Sequence, residues 1–279
     1  MKLALNGATT MRADLATDLH IAEAAGFEFV EIWASKLREF LKLQSAADLK
    51  NLFEKHNLKP LSINSIEHIT FRSDQEYELI KQQCEELSQI AAEINCPYIV
   101  VVPGRIPVGG ATRTEIIDES VLVLNELCDI AARFNVSLAF EFLGQTDCTV
   151  QTLDLAHEIV RTADRSNLRL VIDSFHFYAG GSTVEMIEAL DQRLLAVFHI
   201  NDAENRSRET LNDSHRLFPG LGILPLRTLI SAFGRIGYAG VASIEIFRPE
   251  YWEMDPLEVA KLAHESTQKV FSSIPTTTA

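Results

Sequence analysis

The sequence has 279 residues, of which 47% are hydrophobic and 23% charged. That composition belongs to a folded globular chain and excludes a disordered, collagen-like or coiled-coil protein. Its 25 Lys and Arg against 39 Asp and Glu leave a net charge of −14, which speaks against nucleic acid and anionic membrane as partners unless a local basic patch is hidden.

At roughly 150 residues per domain the length admits two domains, but α/β barrels of this size are routinely one. No Pro/Gly/Ser-rich linker or composition break interrupts residues 1–279, so a single domain is expected, with only the tail SSIPTTTA reading as loose. No stretch approaches the ~20 apolar residues of a membrane span. The opening MKLALNGATTMRAD meets Asn6 and Gly7 too early for a signal peptide. Cys84, Cys96, Cys128 and Cys148 are widely separated and form no CxxC pair. They read as thiols in a reducing compartment, and the cytoplasm is the expected location.

Short β-branched or aromatic runs alternate with longer stretches of helical period. In chain order the strands are expected at Lys2–Asn6, Phe27–Trp33, Lys59–Asn64, Tyr98–Val102, Val136–Phe142, Leu168–Asp173, Leu195–Ile200 and Val241–Phe247. Amphipathic segments such as AADLKNLFEKH, TLDLAHEIVRTAD and PLEVAKLAHESTQKVF lie between and after them. Eight β-then-α units predict a parallel sheet with crossover helices, and eight is the number that closes an α/β (β/α)8 TIM barrel. The competing doubly wound sheet lacks its GxGxxG phosphate loop here. The polar interval Asn201–Gly222, ending in Phe-Pro-Gly-Leu-Gly, is long enough to carry function.

Alternate residues of a barrel strand point inward. The expected inward sets are Ser137, Ala139 and Glu141 on strand five, and Arg169, Val171 and Asp173 on strand six. Strand seven contributes Leu195, Val197 and His199, and strand eight Val241, Ser243 and Glu245. Four consecutive strands thus end in a metal-capable side chain on the face where barrel active sites sit. One such residue alone is equally explained as a buried polar group with a neighbouring partner. Three carboxylates buried against one imidazole are a different matter, because unpaired buried charge costs many kcal/mol. A divalent metal at Glu141, Asp173, His199 and Glu245 resolves the conflict. The donor set suits Mn²⁺ or Zn²⁺, with Mg²⁺ and Co²⁺ also compatible, and not soft thiolate chemistry. Glu141 and Glu245 on opposite sides of the metal would suit moving a proton between neighbouring carbons while the metal stabilises enediolate oxygens.

His176 is expected to reach substrate or metal, or else to pack in the core. Arg216 and Arg248 would bind a substrate hydroxyl, carboxylate or phosphate, or pair with a local acid. Asn6, Glu31 and Asn64 lie at or near strand ends and would line the pocket. Asp202 is expected to support His199, and Trp33 and Trp252 to form an apolar wall or simply to pack. No Ser-His-Asp or Cys-His arrangement is evident.

The segments LAFEFLG, LRLVIDSFHFYAGG, VFHINDAE, RLFPGLG and SIEIFRPEYW resemble the xylose-isomerase-like TIM-barrel superfamily of sugar epimerases and endonuclease IV. Within it, Asp-Ser-Phe-His and Phe-Arg-Pro-Glu-Tyr are similar to the inosose isomerase branch, and the likeness runs from MKLALNGATT through FRPEYW. The resemblance implies one divalent metal on Glu141, Asp173, His199 and Glu245. It also implies proton transfer by Glu141 and Glu245, with His176 and Arg216 beside the substrate. The substrate would be a small sugar or cyclitol, and a homo-oligomer is compatible with the sequence. One departure is Asn201-Asp202, which keeps a single acid where the family often has a pair. The three-zinc endonuclease branch is disfavoured: strands three and four end in Asn64 and Val102-Pro103, and His68 and His215 are the only nearby histidines. A dehydratase of a cyclic keto-acid such as 3-dehydroshikimate is the rival chemistry, favoured if Arg216 or Arg248 meets a carboxylate. A sugar-binding barrel without turnover is the rival class, and the intact quartet argues against it.

Overall fold

Ten strands occur among the residues described in this computed structural model, 1–274. They are β1 (Lys2–Asn6), β2 (Phe29–Trp33), β3 (Lys59–Ile66), β4 (Tyr98–Val101), β5 (Ser137–Glu141), β6 (Leu168–Asp173), β7 (Leu195–Ile200), β8 (Asp202–Ala203), β9 (Arg216–Leu217) and β10 (Val241–Ile244). Eight of them close a parallel barrel in the order β1-β10-β7-β6-β5-β4-β3-β2, so each strand sits beside its neighbour in sequence. β8 and β9 form a separate antiparallel pair in the excursion after β7. The helices wrap the outside, as expected of a TIM barrel.

The helix starts are written locally. Ser45, Ser73 and Thr112 each accept a backbone N–H three residues on, while Asp48, Glu76 and Glu115 reach back to the capping residue. These reciprocal pairs satisfy donors that a helix end otherwise leaves bare. Three short helices were not expected from periodicity: Ala34–Leu41, Ser174–Ala179 and Pro249–Trp252. The first two directly follow barrel strands, and the last two are too short to show a 3.6-residue pattern. Of the tail expected to be loose, Ser272 ends the final helix, and residues 275–279 lie outside the described residues.

Two apolar layers form. The larger lies between barrel and helices, and the smaller, with Ala4, Leu61, Val100, Ala139, Val171 and Val197, fills the barrel interior. Ala139, Val171 and Val197 face inward as alternation predicts. Leu195 does not: it joins the outer layer while Ala196 joins the inner one. The β6–β7 register shifts between Leu170 and Val171, which breaks the alternation at the start of β7.

A charged pair is buried near the mouth of β1. Lys36 Nζ donates to Asp18 Oδ2 at 2.6 Å and to the Thr10 carbonyl at 2.8 Å, and Thr10 Oγ1 donates to Asp18 Oδ1 at 2.7 Å. The pair ties the loop after β1 to the helices Leu15–Ala25 and Ala34–Leu41.

All four cysteines are buried and free. Burial pushes the thiols of Cys84 and Cys148 up to about 11 and those of Cys96 and Cys128 up to about 12. Thiolate is the reactive species, so native protein is expected to resist a water-soluble thiol reagent at neutral pH. Chromophore release should then appear only on denaturation. No described helix is long and apolar enough to cross a membrane.

Candidate active site

The closed parallel topology brings the ends of β5, β6, β7 and β10 to one face. One donor atom each from Glu141, Asp173, His199 and Glu245 lies within 4.8 Å of the others, and all four residues are buried. Glu245 follows Ile244, the last ladder residue of β10, and its N–H still reaches the Ile200 carbonyl at 3.4 Å. That bond carries the strand direction one residue further than the sheet itself.

Each member is held by a specific partner. Asp173 caps the helix Ser174–Ala179: its Oδ1 accepts the His176 N–H at 2.9 Å, leaving Oδ2 for Asn201 Nδ2 at 2.8 Å and Arg216 Nη1 at 2.9 Å. Glu245 Oε1 accepts from Asn6 Nδ2 at 3.1 Å and Asn64 Nδ2 at 2.7 Å, while Oε2 faces Arg216 Nη1 at 2.9 Å. The His199 ring separates two groups of acids. Its Nδ1 lies 3.0 Å from Glu141 Oε1 and 3.4 Å from Glu245 Oε2, and its Nε2 lies 3.1 Å from Glu31 Oε1. A carboxylate behind an imidazole fixes its tautomer and aims the opposite nitrogen.

The electrostatics follow from burial. Desolvation pushes the Glu141 carboxyl up to about 7, against the pull of His199. Burial would lower His199, but the charges of Glu31, Glu245 and Glu141 hold it well above the ordinary imidazole range. Glu245 is held below the usual carboxylate range despite burial, through His199 and Arg216. Desolvation lowers His176, whose Nδ1 has no protein partner and whose Nε2 sits 3.1 Å from Arg216 Nη2.

These residues fit a divalent cation. Glu31, Glu141, Asp173, Asp213 and Glu245 face only Arg216 and His199 as compensating cations among the described residues, so negative charge remains to be offset. Three oxygen donors and one nitrogen at the quartet match the preferences of Zn²⁺ or Mn²⁺.

A cavity of about 280 Å³ opens onto this cluster, bordered by Glu141, Glu245, His176, Arg216 and Asn64 and walled by Trp33 and Phe247. Several expected pocket residues stand elsewhere. Glu31 is fully buried behind His199, also accepting from Ser62 Oγ at 2.8 Å, and does not border the cavity. Asn6 lies under Glu245 rather than on the wall. Arg248 points away: its Nη1 donates to Glu204 Oε1 at 2.8 Å, and its guanidinium lies over the Tyr251 ring. Trp252 donates to the Ala8 carbonyl at 3.0 Å and forms no part of the wall. Asp202 does not touch His199. It accepts the N–H groups of Ala203, Gly220 and Leu224, fastening the long excursion to the barrel rim. Gly222 is required there, since a Cβ would stand 2.1 Å from the Ala203 carbonyl oxygen.

Two participants went unpredicted. Asp213 Oδ1 accepts from Arg216 Nη2 at 2.8 Å and its Oδ2 accepts from Gln145 Nε2 at 2.7 Å, bridging the excursion to the loop after β5. The i,i+3 spacing of Asp213 and Arg216 was the available signal. Asn201, noted only for departing from an acid pair, holds Asp173 together with Arg216.

The sequence pattern of the family described as xylose isomerase-like TIM barrel matches residues 19–270. The chain belongs to this family. An inosose isomerase of Bacillus velezensis is 37% identical over 274 residues, covering 98% of each chain. The crystal structure of IolI protein with a binding zinc atom superposes with a TM-score of 0.95 at 36% identity, covering 99% of this chain and 100% of that one. A 3-dehydroshikimate dehydratase of Pseudomonas aeruginosa is 30% identical over 126 residues, only 44% of this family member and 20% of the dehydratase.

Proposed function

We propose that the chain is a divalent-metal-dependent isomerase of a keto-cyclitol, moving a carbonyl to the neighbouring ring carbon. The observation that carries the reading is the pair Glu141 and Glu245, two carboxylates bordering one small cavity from strands on different sides of His199. Glu141, Asp173, His199 and Glu245 would hold the cation, and a bound cation supplies Lewis-acid stabilisation of substrate oxygens that gain negative charge. One glutamate takes the proton from the hydroxyl-bearing carbon beside the carbonyl. The other, protonated, delivers a proton to the former carbonyl carbon, while the hydroxyl proton passes to the old carbonyl oxygen. One C–H bond breaks and one forms, with no net redox change and an exchange of protonation state between the two glutamates.

Charge around the cavity supports an uncharged polyol over a keto-acid. Arg216 is already engaged by Asp173, Asp213 and Glu245, Arg105 is paired with Asp147, and Arg248 lies off the cavity. A substrate carboxylate would therefore meet an acidic floor with no free guanidinium to receive it. The relatives named inosose isomerase match nearly the whole chain, whereas the dehydratase matches under half. The zinc in the crystal structure of the IolI protein supports the metal. An assay of inososes, ketohexoses and 3-dehydroshikimate with added Mn²⁺ or Zn²⁺ tests the reading. Interconversion of inososes is expected; conversion of 3-dehydroshikimate alone would overturn it.

A further inference from the structure

A second group of metal-capable side chains lies at the opposite end of the barrel. His20 and Glu23 are exposed and share one face of the helix Leu15–Ala25, three residues apart. His56 follows the helix Ala46–Lys55 and is only 9% exposed, with Nδ1 2.6 Å from Glu23 Oε2. The rings of His20 and His56 meet edge to face with centroids 5.9 Å apart. One donor atom from each of the three residues lies within 4.8 Å of the others. Glu23 and His56 come near the ends of helices that return the chain to the starts of β2 and β3, so this group is remote from the cavity.

We propose that His20, Glu23 and His56 form a peripheral Zn²⁺ site that fastens these two helices together. The Glu23–His56 contact accounts for two of the three residues as an ordinary polar pair. It does not account for a second imidazole converging on the same point. Two neutral imidazoles and one carboxylate form a nitrogen-rich set that suits Zn²⁺, whereas Ca²⁺ and Mg²⁺ require oxygen ligands. Tetrahedral zinc with bonds of about 2.1 Å sets donors about 3.4 Å apart. The exposed side chains of His20 and Glu23 can close that gap by rotamer changes while buried His56 stays fixed. Three protein ligands leave the fourth position to water. Binding to the folded chain alone would couple zinc to stability.

The test is equilibrium dialysis of untagged protein against Zn²⁺, with metal counted per chain by atomic emission. Wild type is expected to retain one Zn²⁺ more than His20→Gln or Glu23→Gln, and the variants to keep wild-type turnover. The same one-ion difference is expected when Glu245→Gln is present in both arms, which separates this site from the quartet. Equal zinc in wild type and both variants, or a difference that vanishes in the Glu245→Gln background, would overturn the proposal.

Discussion

Glu245→Gln and Glu141→Gln are each expected to lower kcat by about 10²- to 10⁴-fold, the usual contribution of a positioned general acid or base. That corresponds to about 3–5 kcal/mol of lost transition-state stabilisation. The amide keeps the side chain's size but cannot accept the substrate proton. The two variants differ in what else they disturb. Glu245 also anchors Asn6, Asn64 and Arg216, so its loss alters the bonds of three buried neighbours. Glu141 contacts His199 and makes fewer such bonds. Both variants should lose incorporation of solvent deuterium at the substrate α-carbon, followed by NMR. Exchange retained in both would refute the proton-transfer roles, and a thermal melt on each sample establishes that the variants are folded.

The second large effect is structural. Lys36→Met removes the ammonium from a fully buried carboxylate, since the side chains of Lys36 and Asp18 are 6% and 0% exposed. Breaking one half of a buried pair costs about 3–5 kcal/mol because the other charge is left stranded. At 2–4 °C per kcal/mol for chains of this size, Tm should fall by about 6–20 °C. The loss should grow with pH. Burial already pushes the Asp18 carboxyl from 3.8 up to about 7, and removing Lys36 takes away the charge that opposed the rise. The folded state then binds a proton where the unfolded chain has released it, so stability falls as pH climbs through that interval. Melts at about pH 5 and about pH 8 should show the larger deficit at the higher pH. Asp18→Asn combined with Lys36→Met should recover part of the loss, because no charge is then stranded.

Strand alternation made the quartet legible, and the four ends do converge. It could not place Glu31. That residue also faces the barrel axis, but pairing sets it beside Asn6 while Trp33, two residues on, reaches the level of Asn64. Glu31 therefore lies a layer below the cavity, where it meets His199 from behind. Register between strands is a property of the closed sheet and is not written in any single strand. Arg248 escaped for a different reason. The helix Pro249–Trp252 begins directly after it and turns the chain, and its guanidinium falls on Glu204 and Tyr251. Asp213 belongs to an irregular excursion whose path is set by tertiary bonds, chiefly the three backbone N–H groups gathered by Asp202. Periodicity carries no information about such a segment.

Removal and return of the metal tests the central claim most directly. His20→Gln protein, which keeps the quartet and disables the peripheral group, would be treated with a strong chelator, desalted and assayed for inosose isomerisation during stepwise addition of Mn²⁺ or Zn²⁺. Turnover is expected to fall to background on chelation and to climb until one equivalent per chain is bound, then level off. Full turnover in protein shown by atomic emission to be free of divalent metal would contradict the account.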